Sequence, residues 1–444
     1  MDTERSVVPA AALAALSVAC PGVREASRDA DAVAGVVPSF VASPASTEEA
    51  SALLRAAAAQ GLTVIPRGAG TGLGWGNPPA AGDLVVDMTA MDQVLEHAAG
   101  DLVARVQAGA TMAHLASVLD SAGQQLAVDA PADATVGGVV ATGTAGPRRF
   151  RYGAPRDLLI GITVVRADGV VAHSGGKVVK NVAGYDLGKL FSGSQGTLGL
   201  ITEVTFRLHP LPAAVAWVTG DFAPNGPSSR AAAAAAVASA AGSALVPSAV
   251  ELLWTGPPLV LRVGVLVEGT PSGVAERARR MSDLLESAGA KPTTALAEGS
   301  FRWWEAVPEA GAPHTVVRVT FWVRQLAGVL DALAGAGAGS GIQPAVSGPA
   351  GAGLLYACLD PDTGPDAAAR FVRALRDRLE GLFAESADGS GLLRGGMAVL
   401  AAPAAVLAAA GPDRPVPGLD LMRAVKDQFD PGHRMFPGRL PWGQ

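Results

Sequence analysis

Glycine occupies positions 68, 70, 72, 74 and 76 of the run Pro66 Arg67 Gly68 Ala69 Gly70 Thr71 Gly72 Leu73 Gly74 Trp75 Gly76. No helix or strand interior sustains that density, because each glycine raises the entropy cost of ordering the backbone and offers no side chain to pack. The run is therefore a loop, and what precedes it fixes its setting. Ser46 and Thr47 are capping candidates with Glu48 and Glu49 in the first turn, followed by Leu53, Leu54 and alanines, which predicts a helix over Ser46–Gln60. Thr63, Val64 and Ile65 read as a short strand. Helix, strand and glycine loop in that order describe an α/β ligand-binding unit. Successive residues without Cβ let backbone N–H groups converge on an anion, with the Thr71 hydroxyl beside them. No Lys-Ser/Thr pair follows, so this is not a Walker loop, and the glycines lack the Rossmann spacing before a helix. A purely structural glycine loop has the same composition, so other motifs must decide.

At about 150 residues per domain, 444 residues allow two to four domains. Hydrophobic residues make up 49% and charged residues 17%, which excludes a disordered chain. The apolar excess is mostly alanine, and Pro or Gly cuts every run short of the roughly 18 residues a membrane span needs, as Pro403 and Gly411 do around Ala401–Ala410. A net charge of −6 argues against nucleic acid or an acidic lipid surface as partner. The two cysteines, Cys20 and Cys358, are too few for a disulfide framework or for the four thiolates of a Cys-ligated iron–sulfur cluster, which fits a cytoplasmic chain reaching a membrane only through partners. Leu16–Cys20 faintly resembles a lipoprotein cleavage site, but Asp2 and Glu4 remove the positive start that export requires, so Cys20 is expected in a buried helix.

Strands are expected at Leu84–Asp87, Leu102–Gln107, Ile160–Arg166, Val170–His173 and Leu200–Leu208, with a helix over Thr111–Ala122. Among them lies a second small-residue stretch, from Thr135 through Gly137, Gly138, Thr142 and Gly143 to Arg148 and Arg149, followed by Tyr152, Gly153 and Asp157. Its lack of bulk would let a planar ring or a diphosphate lie against the main chain. A third stretch, Gly175–Glu203, holds Lys177, Lys180 and Lys189 of the chain's five lysines. A lysine is a compact point charge, suited to an anionic group and equally to a solvated surface. Pro210 and Pro212 break the pattern, giving a boundary near Leu211. Beyond it, helices are expected near Ser229–Ala241, Gly273–Ala288 and Asp366–Leu382, strands near Leu259–Val267 and Val316–Val323, and a flexible connection at Gly335–Gly341.

Four ordered motifs carry a resemblance: Pro66–Thr71, Gly137–Arg149, the block Lys180 Asn181 Val182 Ala183 Gly184 Tyr185 Asp186 Leu187, and Gly193 Ser194 Gln195 Gly196 Thr197 Leu198 Gly199. The chain resembles the FAD-linked oxidases with a vanillyl-alcohol-oxidase or p-cresol-methylhydroxylase type of flavin domain, and among their branches the FAD-binding subunits of bacterial glycolate oxidases. The likeness is strong over 36–212, vague through the middle, and clear again from Phe429 Asp430 Pro431 to Pro437 Gly438 Arg439. It implies an α+β fold: an N-terminal helical extension over 1–35, a two-subdomain FAD-binding domain over 36–212, an α+β cap domain over 213–420, and a tail over 421–444 returning to the FAD domain. Carried over by position, Pro66, Arg67, Gly68, Ala69, Gly70, Thr71 and Gly72 would hold the FAD diphosphate. Thr135, Gly137, Gly138, Thr142 and Gly143 would line diphosphate and flavin, with Tyr152 and Asp157 following. Gly196, Thr197 and Ile201 would approach the adenosine end, and Arg439 would complete the set from the tail. Lys180, Asn181, Tyr185 and Arg148 are the expected catalytic groups beside the isoalloxazine ring, where positive charge stabilises anionic reduced flavin.

Relatives that attach FAD covalently use a histidine in or near the first loop, sometimes with a cysteine further on. Here no histidine precedes His97 and no cysteine lies between Cys20 and Cys358, so noncovalent FAD is expected. Family members that oxidise 2-hydroxy acids themselves carry paired cap histidines and a Glu-His-Gly motif, supplying a metal site and a base. Neither pattern is present. After residue 212 the only histidines are His314 and His433, which read as surface or structural residues, and no metal is expected. Met435 Phe436 also stands where Phe-Asn is usual. The resemblance thus implies a flavin-carrying subunit that takes part in oxidising glycolate or a similar small 2-hydroxy acid, alongside a catalytic flavoprotein subunit and an iron–sulfur subunit. Two other readings fit the same residues: a self-sufficient FAD-dependent hydroxy-acid or alcohol dehydrogenase with its base elsewhere, and a non-catalytic flavin-binding assembly subunit.

Overall fold

The computed structural model describes residues 10–176, 185–223, 226–255, 260–296, 314–385, 395–411, 416 and 418–440. These divide into two units, one drawn from Met1–Ala145, Ala154–Leu211 and Pro415–Gln444, the other from Gly146–Gly153 and Pro212–Arg414.

In the first unit, the helix Thr47–Ala59 begins as its sequence requires. The Ser46 hydroxyl accepts the Glu49 N–H at 3.1 Å, and the Glu49 carboxylate accepts the Ala45 N–H at 2.9 Å. Its buried face, Ala50, Leu53, Leu54 and Ala57, packs into one core with Val64, Leu84 and Val86. Those valines and leucine lie on the parallel strands Val64–Arg67 and Leu84–Asp87, which continue through parallel Phe40–Ala42 to antiparallel Val23–Glu25. The glycine loop leaves the carboxyl end of Val64–Arg67, the end at which open α/β sheets hold ligands.

The expected 1–35 extension is corrected at this point. Strand Val23–Glu25 is part of the sheet, and Ala12, Leu16 and Cys20, on or just after the helix Ala10–Ala19, share the core of Leu53 and Leu54. A second, five-stranded antiparallel sheet runs in the order Val94–Ala98, Val103–Gln107, Leu200–Arg207, Leu159–Val165, Val171–Gly175. The C-terminal tail, which joins this unit from 415 rather than 421, lies along strand Val64–Arg67. Val64 donates to the Arg434 carbonyl and Phe436 to the Val64 carbonyl, each at 2.8 Å.

The second unit is an eight-stranded antiparallel sheet in the order Lys291–Leu296, Ala214–Phe222, Val260–Gly269, Ala249–Thr255, Ala345–Gly348, Leu354–Cys358, Val316–Phe321, Gly395–Ala401. Alternation along each strand sends Val250, Leu252, Trp254, Val263, Val317 and Val319 to one face. There they pack with the helices Pro227–Ala241, Pro271–Ser287, Leu326–Ser340 and Pro365–Glu385. Gly146–Gly153, inside the expected flavin-domain range, belongs to this unit, with Phe150 packed on the same core. The expected flexible connection at Gly335–Gly341 is instead helical to Ser340. A Cβ on Gly328 or Gly335 would lie 2.7 Å from Leu382 or Arg378, so these glycines permit close helix–helix approach rather than a bend. Among the described residues no helix is long and apolar enough to cross a membrane.

Candidate functional site

Stretches far apart in the chain meet in the first unit, and the spaces left by absent side chains show how closely. A Cβ on Gly68 would lie 2.0 Å from Thr135 Oγ1, one on Gly72 2.7 Å from Thr142 Cγ2, and one on Gly196 3.0 Å from the Pro66 ring. The glycine loop is thus pressed against the helix Val136–Thr142. The 193–197 loop is tied to that helix's far end, with Gly193 donating to the Val140 carbonyl at 3.0 Å and Gln195 to the Ala141 carbonyl at 2.7 Å.

Within the glycine loop, the N–H groups of Ala69, Gly70, Thr71 and Gly72 donate to no protein acceptor among the described residues. The loop's carbonyls face the opposite demand. Arg439 donates to the carbonyls of Gly72 (2.8 Å), Leu73 (2.9 Å) and Asn77 (3.2 Å), and its Nε to Gln195 Oε1 at 2.9 Å. Its guanidinium also stacks over the Phe436 ring at 4.8 Å. These partners are all neutral, and burial brings the Arg439 pKa down to about 10, so it remains a cation at neutral pH. Four unanswered donors braced by a buried cation fit a diphosphate, whose oxygens accept and whose charge is negative. Beside the loop opens a cavity of about 510 Å³ whose lining includes Ala69, Asp92, Gly109, Thr111, His114 and Thr135.

Several expected ligands of the cofactor have other work. The Arg67 side chain pairs with Asp87 at 2.9 Å and Asp31 at 3.4 Å, leaving only its backbone to the loop. Asp31 is in turn gripped by Arg24 at 2.7 and 2.8 Å, which holds its carboxyl well below the usual range. Gly137 and Gly138 are not free donors: they bond the Ala108 carbonyl (2.7 Å) and Thr135 Oγ1 (3.3 Å). Their service is close packing, since a Cβ on Gly137 would stand 2.6 Å from that of Ala108. The Thr142 hydroxyl turns back to the Gly138 carbonyl at 2.8 Å, and Gly143 ends the helix in a left-handed conformation at φ 67°. The Thr197 hydroxyl donates to the Ser194 carbonyl at 2.6 Å, and the Ile201 side chain is in the sheet core with Val204 and Phe206. Asp157 accepts the Ala154 N–H at 2.8 Å and so caps the short helix Pro155–Leu158.

Tyr152 and Arg148 belong to the second unit. The Arg148 carbonyl accepts from the N–H groups of Arg151 and Tyr152, and the Tyr152 hydroxyl donates to Glu268 at 2.9 Å. Burial, reinforced by the Glu268 carboxylate, pushes the Tyr152 pKa up to about 12. Because the folded value lies above the unfolded value of about 10, the protonated phenol adds stability that is complete below pH 10 and lost as pH rises towards 12. The stability difference between wild type and Tyr152→Phe, from urea midpoints, is expected to shrink over that interval. A difference independent of pH would sink the assignment.

Tyr185 is 89% exposed, while Lys177, Lys180 and Asn181 lie outside the described residues. His433 pairs with Asp427 at 2.9 Å on the surface, and His314 is half-buried. Three residues of the site were not assigned from sequence: Gln195, the acceptor for Arg439, and the buried pair Lys426 and Asp430. The signals were present, in a polar residue between Ser194 and Gly196 and in an i, i+4 Lys–Asp spacing just ahead of Pro431.

Residues 38–175 match the family model described as an FAD binding domain. The chain thus carries an FAD binding domain over those residues and shares the fold of p-cresol methylhydroxylase. It is 28% identical over 434 residues to glycolate oxidase subunit GlcD of Bacillus subtilis (strain 168), a match spanning 91% of this chain and 89% of that protein. It is 39% identical over 178 residues to a probable mitochondrial D-lactate dehydrogenase of Danio rerio, covering 39% of this chain and only 36% of that protein. In fold, p-cresol methylhydroxylase superposes with a TM-score of 0.74 at 15% identity, over 98% of this chain and 96% of the other.

Proposed function

We propose that this chain is the FAD-binding subunit of a glycolate-oxidase-type 2-hydroxy-acid dehydrogenase. The observation that carries this reading is the Ala69–Gly72 loop, with its donors unanswered and its carbonyls braced by Arg439, in a chain similar over almost its whole length to a glycolate oxidase subunit. The D-lactate dehydrogenase similarity supports the same substrate class.

In this reading the N–H groups of Ala69 to Gly72 hold the diphosphate of noncovalently bound FAD. Arg439 keeps the loop from collapsing onto its own carbonyls and adds a fixed positive charge. Flavin supplies a two-electron acceptor for the carbinol carbon of glycolate or a similar acid. Lys180, Asn181, Tyr185 and Arg148 remain the proposed polar groups for the ring. With two cysteines, the chain holds too few thiolates for an iron–sulfur cluster, so electrons leaving the flavin would pass to separate subunits, a catalytic flavoprotein and an iron–sulfur protein. Association with a membrane, in this scheme, comes through those partners.

The test is purification from the native cell followed by acid precipitation and addition of glycolate. A yellow protein is expected, with flavin recovered in the acid supernatant and bleached by glycolate in the assembled complex. A colourless chain that takes up no FAD would overturn the reading, and flavin pelleting with the protein would overturn noncovalent binding. Turnover of glycolate by the isolated chain with an artificial acceptor would instead favour a self-sufficient dehydrogenase.

A further inference from the structure

Two arginines flank the glycine loop, and their surroundings differ in charge. Arg67, at its start, faces the carboxylates of Asp87 at 2.9 Å and Asp31 at 3.4 Å. Arg439 donates to the carbonyls of Gly72, Leu73 and Asn77 and to the Gln195 carboxamide, and among the described residues no carboxylate lies within ion-pair distance of it. It is 2% exposed, and burial lowers its pKa with no acid beside it to raise it again. The charge of Arg67 is therefore answered within the protein, whereas that of Arg439 is buried and unanswered, a state that folding alone disfavours.

Gln195 is where this difference is decided. Its Oε1 accepts from Arg439 Nε at 2.9 Å, the one hydrogen bond its side chain makes among the described residues. A glutamate has the same length and shape, would accept the same bond, and would cancel the charge. The backbone at Gln195 has φ 52°, between Gly193 at 85° and Gly196 at 78°. That left-handed region favours glycine, so a side chain is carried there against the backbone's preference. The glycine loop closes directly on the pair: a Cβ on Gly76 would lie 2.9 Å from Gln195 Oε1 and 3.5 Å from Arg439 Nε.

We propose that Gln195 is a positioning residue for the cofactor's diphosphate: it orients Arg439 through a neutral acceptor and so leaves that guanidinium's charge for the anion held at Ala69–Gly72. The inference rests on the reading of that loop as the FAD diphosphate site. Its consequence is that the empty site contains an uncompensated buried cation, which a bound diphosphate relieves. A negative charge introduced at position 195 should then stabilise the empty protein and weaken its hold on the ligand, two effects of opposite sign.

The test is Gln195→Glu beside Gln195→Met, which removes the acceptor and adds no charge. Each full chain is stripped of flavin and titrated with FAD and with ADP, which shares the diphosphate, and thermal midpoints of the empty proteins are read by circular dichroism. Gln195→Glu is expected to raise the midpoint while weakening both ligands about 10- to 100-fold, the range for one unit charge acting over about 7–10 Å through an effective dielectric near 20. Gln195→Met should lower the midpoint and weaken FAD less than Gln195→Glu does. A merely structural role moves stability and affinity together, so a fall in both for Gln195→Glu would overturn the proposal. So would a Gln195→Met protein that binds FAD as weakly as Gln195→Glu, because the acceptor rather than its neutrality would then matter. Wild-type affinity for FAD in Gln195→Glu would remove the proposal and leave the flavin reading standing. A wild type that takes up no FAD but binds ADP, and binds it more weakly as Gln195→Glu, would uphold the charge argument and remove the flavin. Binding of neither ligand would overturn both.

Discussion

Lys426→Met is expected to cost about 3–5 kcal/mol of stability, the range for breaking one side of a buried ion pair. Lys426 is 2% exposed and Asp430 is fully buried. The ammonium donates to Asp430 Oδ2 at 2.6 Å and to the carbonyls of Thr197 at 2.7 Å and Met435 at 3.0 Å, and the same carboxylate oxygen accepts the Met435 N–H at 2.7 Å. Burial pulls the Lys426 pKa down while Asp430 opposes it, so the pair survives on mutual compensation. Methionine keeps most of the side-chain volume, but it strands a buried carboxylate and two carbonyls, each of which must then be left dry and unbonded or drag water inwards. Replacing Asp430 as well should recover part of the loss, because an apolar pair leaves no charge behind. Urea midpoints of the single and double variants measure this. A loss below about 1 kcal/mol for Lys426→Met would mean that the pair behaves as a surface bridge. Since the pair fixes the turn between the tail helix and Arg439, FAD retention should fall in parallel.

What could be read from the sequence divides along the range of the interaction concerned. Ser46 capping the helix Thr47–Ala59 and the loop character of Gly68–Gly76 are local consequences of residue type, and the structure has both. The destinations of side chains were less legible because they depend on distant partners. Arg67 looks like an anion ligand until Asp31 and Asp87 are brought beside it, by a strand and a helix that nothing in the loop announces. Gly137 and Gly138 look like free donors until Ala108 and Thr135 accept from them. Gly335–Gly341 reads as flexible because glycine alone is flexible, yet packing against a neighbouring helix uses the same missing side chains to opposite effect. Arg439 was legible as a participant but not in its role: only the fold shows that it bonds the loop's carbonyls and leaves the N–H groups for a ligand.

Gly68→Ala is expected to reduce FAD affinity by at least two orders of magnitude, a change of about 2.7 kcal/mol or more. Gly68 is not in a left-handed conformation, so the backbone would accept alanine and the whole effect comes from the new Cβ. That atom would lie 2.0 Å from Thr135 Oγ1, 3.1 Å from its Cβ and 3.2 Å from its Cγ2. Thr135 has little room to yield. It is 2% exposed and its hydroxyl caps the helix Val136–Thr142, so relief must come from the loop carrying the Ala69–Gly72 donors. Thr135→Ala removes the two outer contacts and leaves only the 3.1 Å approach, at the cost of an N-cap worth about 1 kcal/mol. The double variant should therefore bind FAD more tightly than Gly68→Ala alone, although Thr135→Ala is by itself harmful. Such a reversal of sign requires that the two residues be energetically coupled, as the close approach of Gly68 to Thr135 provides. Fluorescence titration with FAD, beside circular dichroism to establish folding, measures all four proteins. Wild-type affinity in Gly68→Ala, or no rescue in the double variant, would show that the loop is not held against this helix. The donor geometry on which the flavin site depends would then be lost with it.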